Sequence, residues 1–153
     1  MRARDLAVDH PTVTPGTSAL DAARLLAAGR LPGLIVVDAE RRPTAVLPGS
    51  RLLGSMIPRY VQDDPALART YDERHADQLC RRLEGRRVAD LLPTDGTPPP
   101  VVDARATVME IASVMAGARS PVVAVADDPR GTDAPMLGVI TVADLLSRLL
   151  PPE

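Results

Sequence analysis

The sequence predicts an α/β chain of the α+β kind, built from two copies of one β-α-β-β-α unit with a helical segment inserted between them. Three observations carry that expectation. The chain repeats itself: Pro11-Thr12-Val13 is matched 89 residues on by Pro100-Val101-Val102, and the match continues through Ser18/Thr107, Asp21/Glu110, Ala23/Ala112, Arg30/Arg119, Pro32/Pro121 and Asp38/Asp127. Each copy holds an unbroken apolar run bounded by Pro and Asp, Leu34-Ile35-Val36-Val37 and Val122-Val123-Ala124-Val125, which suits strands buried on both faces. Ahead of each run lies a helical periodicity that opens on an N-cap residue.

Copy one spans residues 1–57, the insertion 58–86 and copy two 87–153. Upstream, Asp5-Leu6 is matched by Asp90-Leu91, 85 residues on. The first strand of each copy follows Pro11 or Pro100. The first helix runs from Ser18 to about Ala28, with Leu20, Ala23, Leu26 and Ala27 apolar, and stops at Gly29, where a left-handed cap costs least. Its counterpart runs from Thr107 to Gly117, with Val108, Ile111, Ala112, Met115 and Ala116 on one face. After the buried strands, Thr44–Leu47 and Leu137–Ile140 form partner strands. There Ala45 meets Gly138 93 residues on, so the loop from Asp127 to Pro135 is four residues longer than its equivalent in copy one. The last helix starts near Val142 with Leu145, Leu146, Leu149 and Leu150 on its apolar side.

In the insertion, Asp64 is a good N-cap, Pro65 suits the first helical position and Gly85 a helix end. Between them Leu67, Tyr71, Leu79 and Leu83 recur at multiples of four, the stripe of an amphipathic helix of about 20 residues. That stripe packs either on its own module or on a dimer partner.

Composition excludes several chemistries. All 18 basic side chains are Arg; Lys, Phe and Trp are absent, and two Tyr are the only aromatic residues. Without Lys there is no Walker-A phosphate lysine, no pyridoxal Schiff base and no catalytic Lys. Without rows of rings there is no stacking platform for single-stranded nucleic acid. Cys80, His10 and His75 are too few and too scattered for a structural zinc site, and no metal is expected. With 45% hydrophobic and 25% charged residues the chain reads as one soluble unit, and no apolar run approaches the ~20 residues of a membrane span. The charged start, Met1-Arg2-Ala3-Arg4-Asp5, and the lone Cys point to the cytoplasm. A net charge of −2 argues against nucleic acid or an anionic membrane as partner.

Two such units, each with a Pro before its buried strand and the second ending in Gly138-Val139-Ile140-Thr141-Val142-Ala143-Asp144-Leu145, resemble a tandem pair of CBS domains, named for cystathionine beta-synthase and called a Bateman module when paired. The resemblance covers about residues 3–57 and 87–150. It implies a pseudo-twofold module whose sheets pack together, with an adenosine-containing ligand of the AMP, ADP or ATP kind in the clefts between repeats. It also implies pairing into a flat homodimer and control of a partner enzyme, channel or transporter. The family's nucleotide motif is Gly, two apolar residues, Thr or Ser, two residues, Asp. Copy two matches it at Gly138, Thr141 and Asp144. By resemblance the Thr141 hydroxyl meets phosphate, Asp144 accepts the ribose hydroxyls, and the backbone around Val101, Val102, Pro121, Val122 and Val123 holds the adenine. No cofactor is required.

Thr-x-x-Asp is also the spacing of a capping box, and Ser18…Asp21 and Thr107…Glu110 share it, so spacing does not separate a ribose site from a helix cap. In copy one the matching positions are Ala45, Pro48 and Arg51. Arg offers no lone pairs to ribose hydroxyls, so that cleft is not expected to bind a nucleoside in the family manner. Arg51, with Arg30 and Arg119 at equivalent turns, is either an anion contact or plain solvated surface. Arg81, Arg82, Arg86 and Arg87 read as cations at a helix C-terminus. His75 falls in the inserted stripe and His10 in a loop before Pro11; neither has a Ser or Cys nucleophile near it in sequence, and no constellation suggests catalysis. Without a ring to stack the base, ligand affinity is expected to be modest. The competing reading is a ligand-free interaction module that dimerises or docks on a separately encoded transporter or enzyme.

Overall fold

The computed structural model describes residues 1–70, 74, 78–127 and 134–153. Copy one contributes α1 (Ala3–Leu6), α2 (Ala19–Gly29), β1 (Gly33–Val37), β2 (Pro43–Pro48) and α3 (Gly49–Met56). The insertion begins with α4 (Arg59–Asp63) and continues through 3₁₀ turns at Pro65–Thr70 and Leu79–Leu83. Copy two contributes α5 (Val88–Leu91), β3 (Val101–Asp103), α6 (Val108–Ala118), β4 (Val122–Ala126), β5 (Met136–Thr141) and α7 (Val142–Leu149).

In copy two β3 runs parallel and β5 antiparallel to the central β4, whereas copy one has only the antiparallel pair β1–β2 as strands. The expected first strand of copy one shrinks to a parallel bridge between Val13 and Val36. Pro11 and Pro15 bracket Val13 and remove the N–H groups that a longer ladder needs. Both central strands are buried along their whole length, as their continuous apolar runs predict. They bulge at equivalent points, Val36/Val37 and Val125/Ala126. Ile35 and Val37 meet Val122, Ala124 and Val139 in a core shared by the two sheets. Leu34, Val36 and Leu47 face the copy-one helices, and Val123, Val125 and Ile140 the copy-two helices. Burying such an aliphatic side chain contributes roughly 1.5–3 kcal/mol.

The short helices dock crosswise. Ala3 and Leu6 of α1 lie in the core of copy two, and Val88 and Leu91 of α5 in that of copy one. Ala3 N–H donates to Ala106 C=O (2.9 Å) and Arg4 N–H to Ala104 C=O (3.0 Å), and the same bonds recur as Val88 to Thr17 (2.9 Å) and Ala89 to Pro15 (3.0 Å). The pseudo-twofold relation is therefore kept in these docking bonds.

Helix starts follow the sequence: the Ser18 and Thr107 hydroxyls accept from the Asp21 and Glu110 amides at 3.1 and 3.2 Å. Helix ends do not. The left-handed residues at these helix ends are Arg30 and Arg119, both at φ 50°, and Arg30 lies one position beyond Gly29, the glycine expected to cap α2. Gly29 serves space instead, because a Cβ there would lie 3.0 Å from Leu31 Cγ. The α7 stripe also departs from expectation: only Leu145 is buried, while Leu146, Leu149 and Leu150 are exposed.

The inserted helix is not α-helical at its described ends. Asp64 starts a 3₁₀ segment, its Oδ1 accepting from Ala66 N–H at 3.2 Å, and Gly85 (φ 73°) follows the second one. Tyr71 and His75 lie outside the described residues. Leu83 is 1% exposed and packs in the copy-one core, so this end of the segment is held by its own module.

Candidate functional site

Two clefts related by the pseudo-twofold lie between the repeats. One, of about 450 Å³, brings the end of α2 (Gly29, Arg30, Leu31, Pro32) against the start of α7 (Thr141, Val142, Ala143, Leu146), with His10 between them. The other, of about 590 Å³, brings the end of α6 (Ala118, Arg119, Ser120, Pro121) against Pro48 and Arg51 of copy one, and is walled by the loop from Asp95 to Pro100.

Thr141 and Asp144 form a full capping box at the first cleft. The Thr141 hydroxyl accepts from Asp144 N–H (3.2 Å) and Asp144 Oδ2 accepts from Thr141 N–H (3.0 Å). Thr141 is the only buried polar side chain among the described residues, and Asp144 stays partly open. The box fixes the carboxylate in the first turn of α7, 3.7 Å from the Nε2 of His10, which lines the cleft. A capping box and a ribose acceptor are therefore compatible uses of the same side chain, since a carboxylate has about four lone-pair sites.

Gly138 is buried in β5 beneath the segment that leaves α1. A Cβ there would meet Ala7 Cβ at 2.9 Å and Val8 C=O at 3.2 Å. Val8 pairs with Val139 through two bonds, each N–H donating to the other's C=O at 2.9 Å. The missing side chain thus lets the chain press onto β5 and delivers His10 beside α7.

His10 is the residue that sequence reasoning missed. Its Nε2 is buried with no hydrogen-bond partner among the described residues, 3.7 Å from Asp144 Oδ2. That separation is an electrostatic contact and too long for a hydrogen bond. No local signal reveals it, because 134 positions separate His10 from Asp144 and only the crosswise docking of α1 brings them together.

The second cleft reverses this pair. Arg51 stands where Asp144 does, and Asp95, which follows Asp90 as His10 follows Asp5, stands where His10 does. The Thr97 amide donates to Asp95 Oδ1 at 3.0 Å. This bond, the Thr97 hydroxyl and the positive charge of Arg51 hold the Asp95 carboxyl below its usual range. Pro93 occupies the place of Val8 and has no N–H to pair with β2, so the longer loop swings out to wall the cleft.

The residues singled out in the sequence divide between these places. Thr141 and Arg30 line the first cleft; Arg51, Arg119 and Pro121 line the second. Val101 is half-buried at the shared core, Val122 is fully buried there, and the Val102 and Val123 side chains point into the copy-two core. A third feature is an apolar groove between α6 and α7, where Met115, Leu145, Leu146 and Leu149 face Pro32 and Pro48. Among the described residues no three His, Cys, Asp or Glu side chains are placed to hold a metal, and no helix is long and apolar enough to cross a membrane.

Comparison with known proteins gives consistent matches. A family model for the CBS domain fits residues 3–56 and again 88–151. The crystal structure of a CBS domain-containing protein of unknown function from Kribbella flavida DSM 17836 is 42% identical, with 99% of each chain covered and a TM-score of 0.79. CBSX2 from Arabidopsis thaliana, a CBS-pair protein, is 21% identical over 97% of this chain and 93% of its own, with a TM-score of 0.69. A structure of CBSX2 in complex with AMP is 22% identical over 97% and 95% of the two chains, with a TM-score of 0.65. A search of curated proteins found no match.

Proposed function

Because the chain belongs to the CBS-domain family and carries the domain twice, we propose that it is a regulatory module whose cleft beside Thr141 and Asp144 takes an adenosine-containing ligand. The observation that carries this reading is the inter-repeat cleft itself. Arg30 from one repeat and the N-terminus of α7 from the other line the same space, and Asp144, held by its cap, stands next to His10 on the cleft's wall. A helix N-terminus and an Arg suit a phosphate, and the carboxylate suits a ribose diol. The AMP complex of CBSX2, a chain of the same fold, supports the choice of ligand class. A ligand touching both repeats shifts the balance between module shapes only by its differential affinity for them, and that shift is what a partner enzyme, channel or transporter reads.

The test is a thermal-shift and calorimetric panel of AMP, ADP, ATP, S-adenosylmethionine, NAD and cyclic dinucleotides up to millimolar concentration. Saturable binding of at least one is expected; silence across the panel overturns the reading.

A second reading has an observation of its own. Leu146, Leu149 and Leu150 leave α7 with an apolar face at 45%, 52% and 63% exposure beside the groove. Such a face suits a homodimer or a docked transporter or enzyme without any ligand. A Leu146→Glu, Leu149→Glu double variant that changes the mass in solution would favour it.

A further inference from the structure

We propose that His10 reads the phosphate of the ligand, its Nε2–H bonding a phosphate oxygen while Asp144 supplies the counter-charge. The inference rests on the reading that this cleft takes an adenosine-containing ligand. Three facts lead to it. His10 lines the same cleft as Thr141 and Arg30. Its Nε2 has no partner among the described residues, although the atom is buried. Asp144 Oδ2 already accepts the Thr141 amide and stands 3.7 Å away, too far to serve as that partner.

A ligand phosphate entering this cleft would bring a second negative group toward Asp144. The chain has no Lys to offset it. Asp144 of α7 faces the imidazole, Arg30 from the turn after α2 lines the same cleft, and Asp9 precedes His10 on its own segment. Of the two cations available, the guanidinium keeps one charge at all working pH, whereas an imidazole takes up its proton between about pH 5 and 8. A phosphate on one side and a carboxylate on the other both favour imidazolium, against the opposing charge of Arg30. Binding then takes up a proton at His10, and affinity rises as pH falls until the free protein is itself protonated there. Gly138 belongs to the same device, because it holds the segment carrying His10 against β5.

The experiment is calorimetric titration of the full chain and of His10→Gln with AMP and with adenosine, from about pH 8 to about pH 6. Wild type is expected to bind AMP about fivefold to tenfold more tightly at the acid end, and His10→Gln to lose that gain while binding adenosine as wild type does. The phosphate's own titration is common to both proteins and cancels in the comparison. With two His in the chain, a His75→Gln variant assigns the imidazole resonances, and AMP should move the His10 titration upward. Identical AMP profiles for wild type and His10→Gln, or an unmoved His10 resonance, overturn the proposal alone. If the wild type binds neither AMP nor adenosine, the underlying reading falls with it.

Discussion

The two clefts share a pseudo-twofold frame and differ in nearly every polar group. Beside α7 a Thr hydroxyl caps the helix, a carboxylate closes the box and an imidazole faces it. Beside α3 the helix starts at Pro48 with no side-chain cap, Arg51 replaces the carboxylate and Asp95 replaces the imidazole. Acid and base have changed places, so each cleft keeps one acidic and one basic side chain while reversing which of them stands on the helix. Duplication fixed the backbone through crosswise bonds, those of Ala3 and Arg4 recurring at Val88 and Ala89. Side chains at the cleft mouths were free to diverge because those bonds do not pass through them.

The sharpest way to break the comparison is at β5 and β2. Gly138→Ala forces the Ala7–Val8 segment off β5, an overpacking that costs about 1–3 kcal/mol. Ala45→Gly, its mirror in copy one, should cost roughly 0.5–1 kcal/mol from strand entropy alone. Equal losses in chemical denaturation would show that the tight approach at Gly138 carries no weight.

Next in size is the cap. Asp144→Ala removes half of a capping box and should cost about 1 kcal/mol, whereas Arg51→Ala on the uncapped α3 should stay within about 0.5 kcal/mol. Asp144→Glu, which copies the Thr107…Glu110 box, should recover most of that stability.

Smaller again are the left-handed arginines. Arg30→Gly and Arg119→Gly each relieve a conformation that an L side chain adopts with difficulty, and should stabilise the fold by up to about 1 kcal/mol. If Arg30 serves the first cleft, its Gly variant gains melting temperature and loses AMP affinity, while Arg119→Gly gains stability only.

The smallest effect concerns Asp38, which closes the β1–β2 turn. The Arg42 amide (2.8 Å), helped by the Arg42 side chain and the Glu40 amide, holds its carboxyl below the usual range. A lowered folded value means that this contribution is present above the range where an unfolded Asp titrates and is lost as pH falls through the folded value. Asp38→Asn should therefore lose a little stability near neutrality and flatten the acid limb of a melting-temperature profile, with no change at a pH low enough to protonate both states.

What the sequence made legible was whatever depends on near neighbours. Ser18, Thr107 and Thr141 announced helix starts, and the runs at Leu34 and Val122 announced buried strands. The repeat register showed that Arg51 stands where copy two has Asp144, and the family motif singled out Thr141, which lines a cleft. Hidden features depend on contacts across about a hundred residues: the docking of α1 on copy two, and with it the meeting of His10 and Asp144. The helix ends misled for a local reason, since Gly29 is the expected left-handed residue but is needed for its lack of volume beside Leu31. The α7 stripe promised a buried face and instead stayed open, because the apolar side of a helix says only that something should cover it.

The difference between the clefts is read most plainly by calorimetric titration of AMP into wild type, Asp144→Ala and Arg51→Ala. One AMP per chain, lost in Asp144→Ala and retained within about twofold in Arg51→Ala, is the expected result. Two equivalents per chain, or binding that survives Asp144→Ala and vanishes in Arg51→Ala, would contradict it.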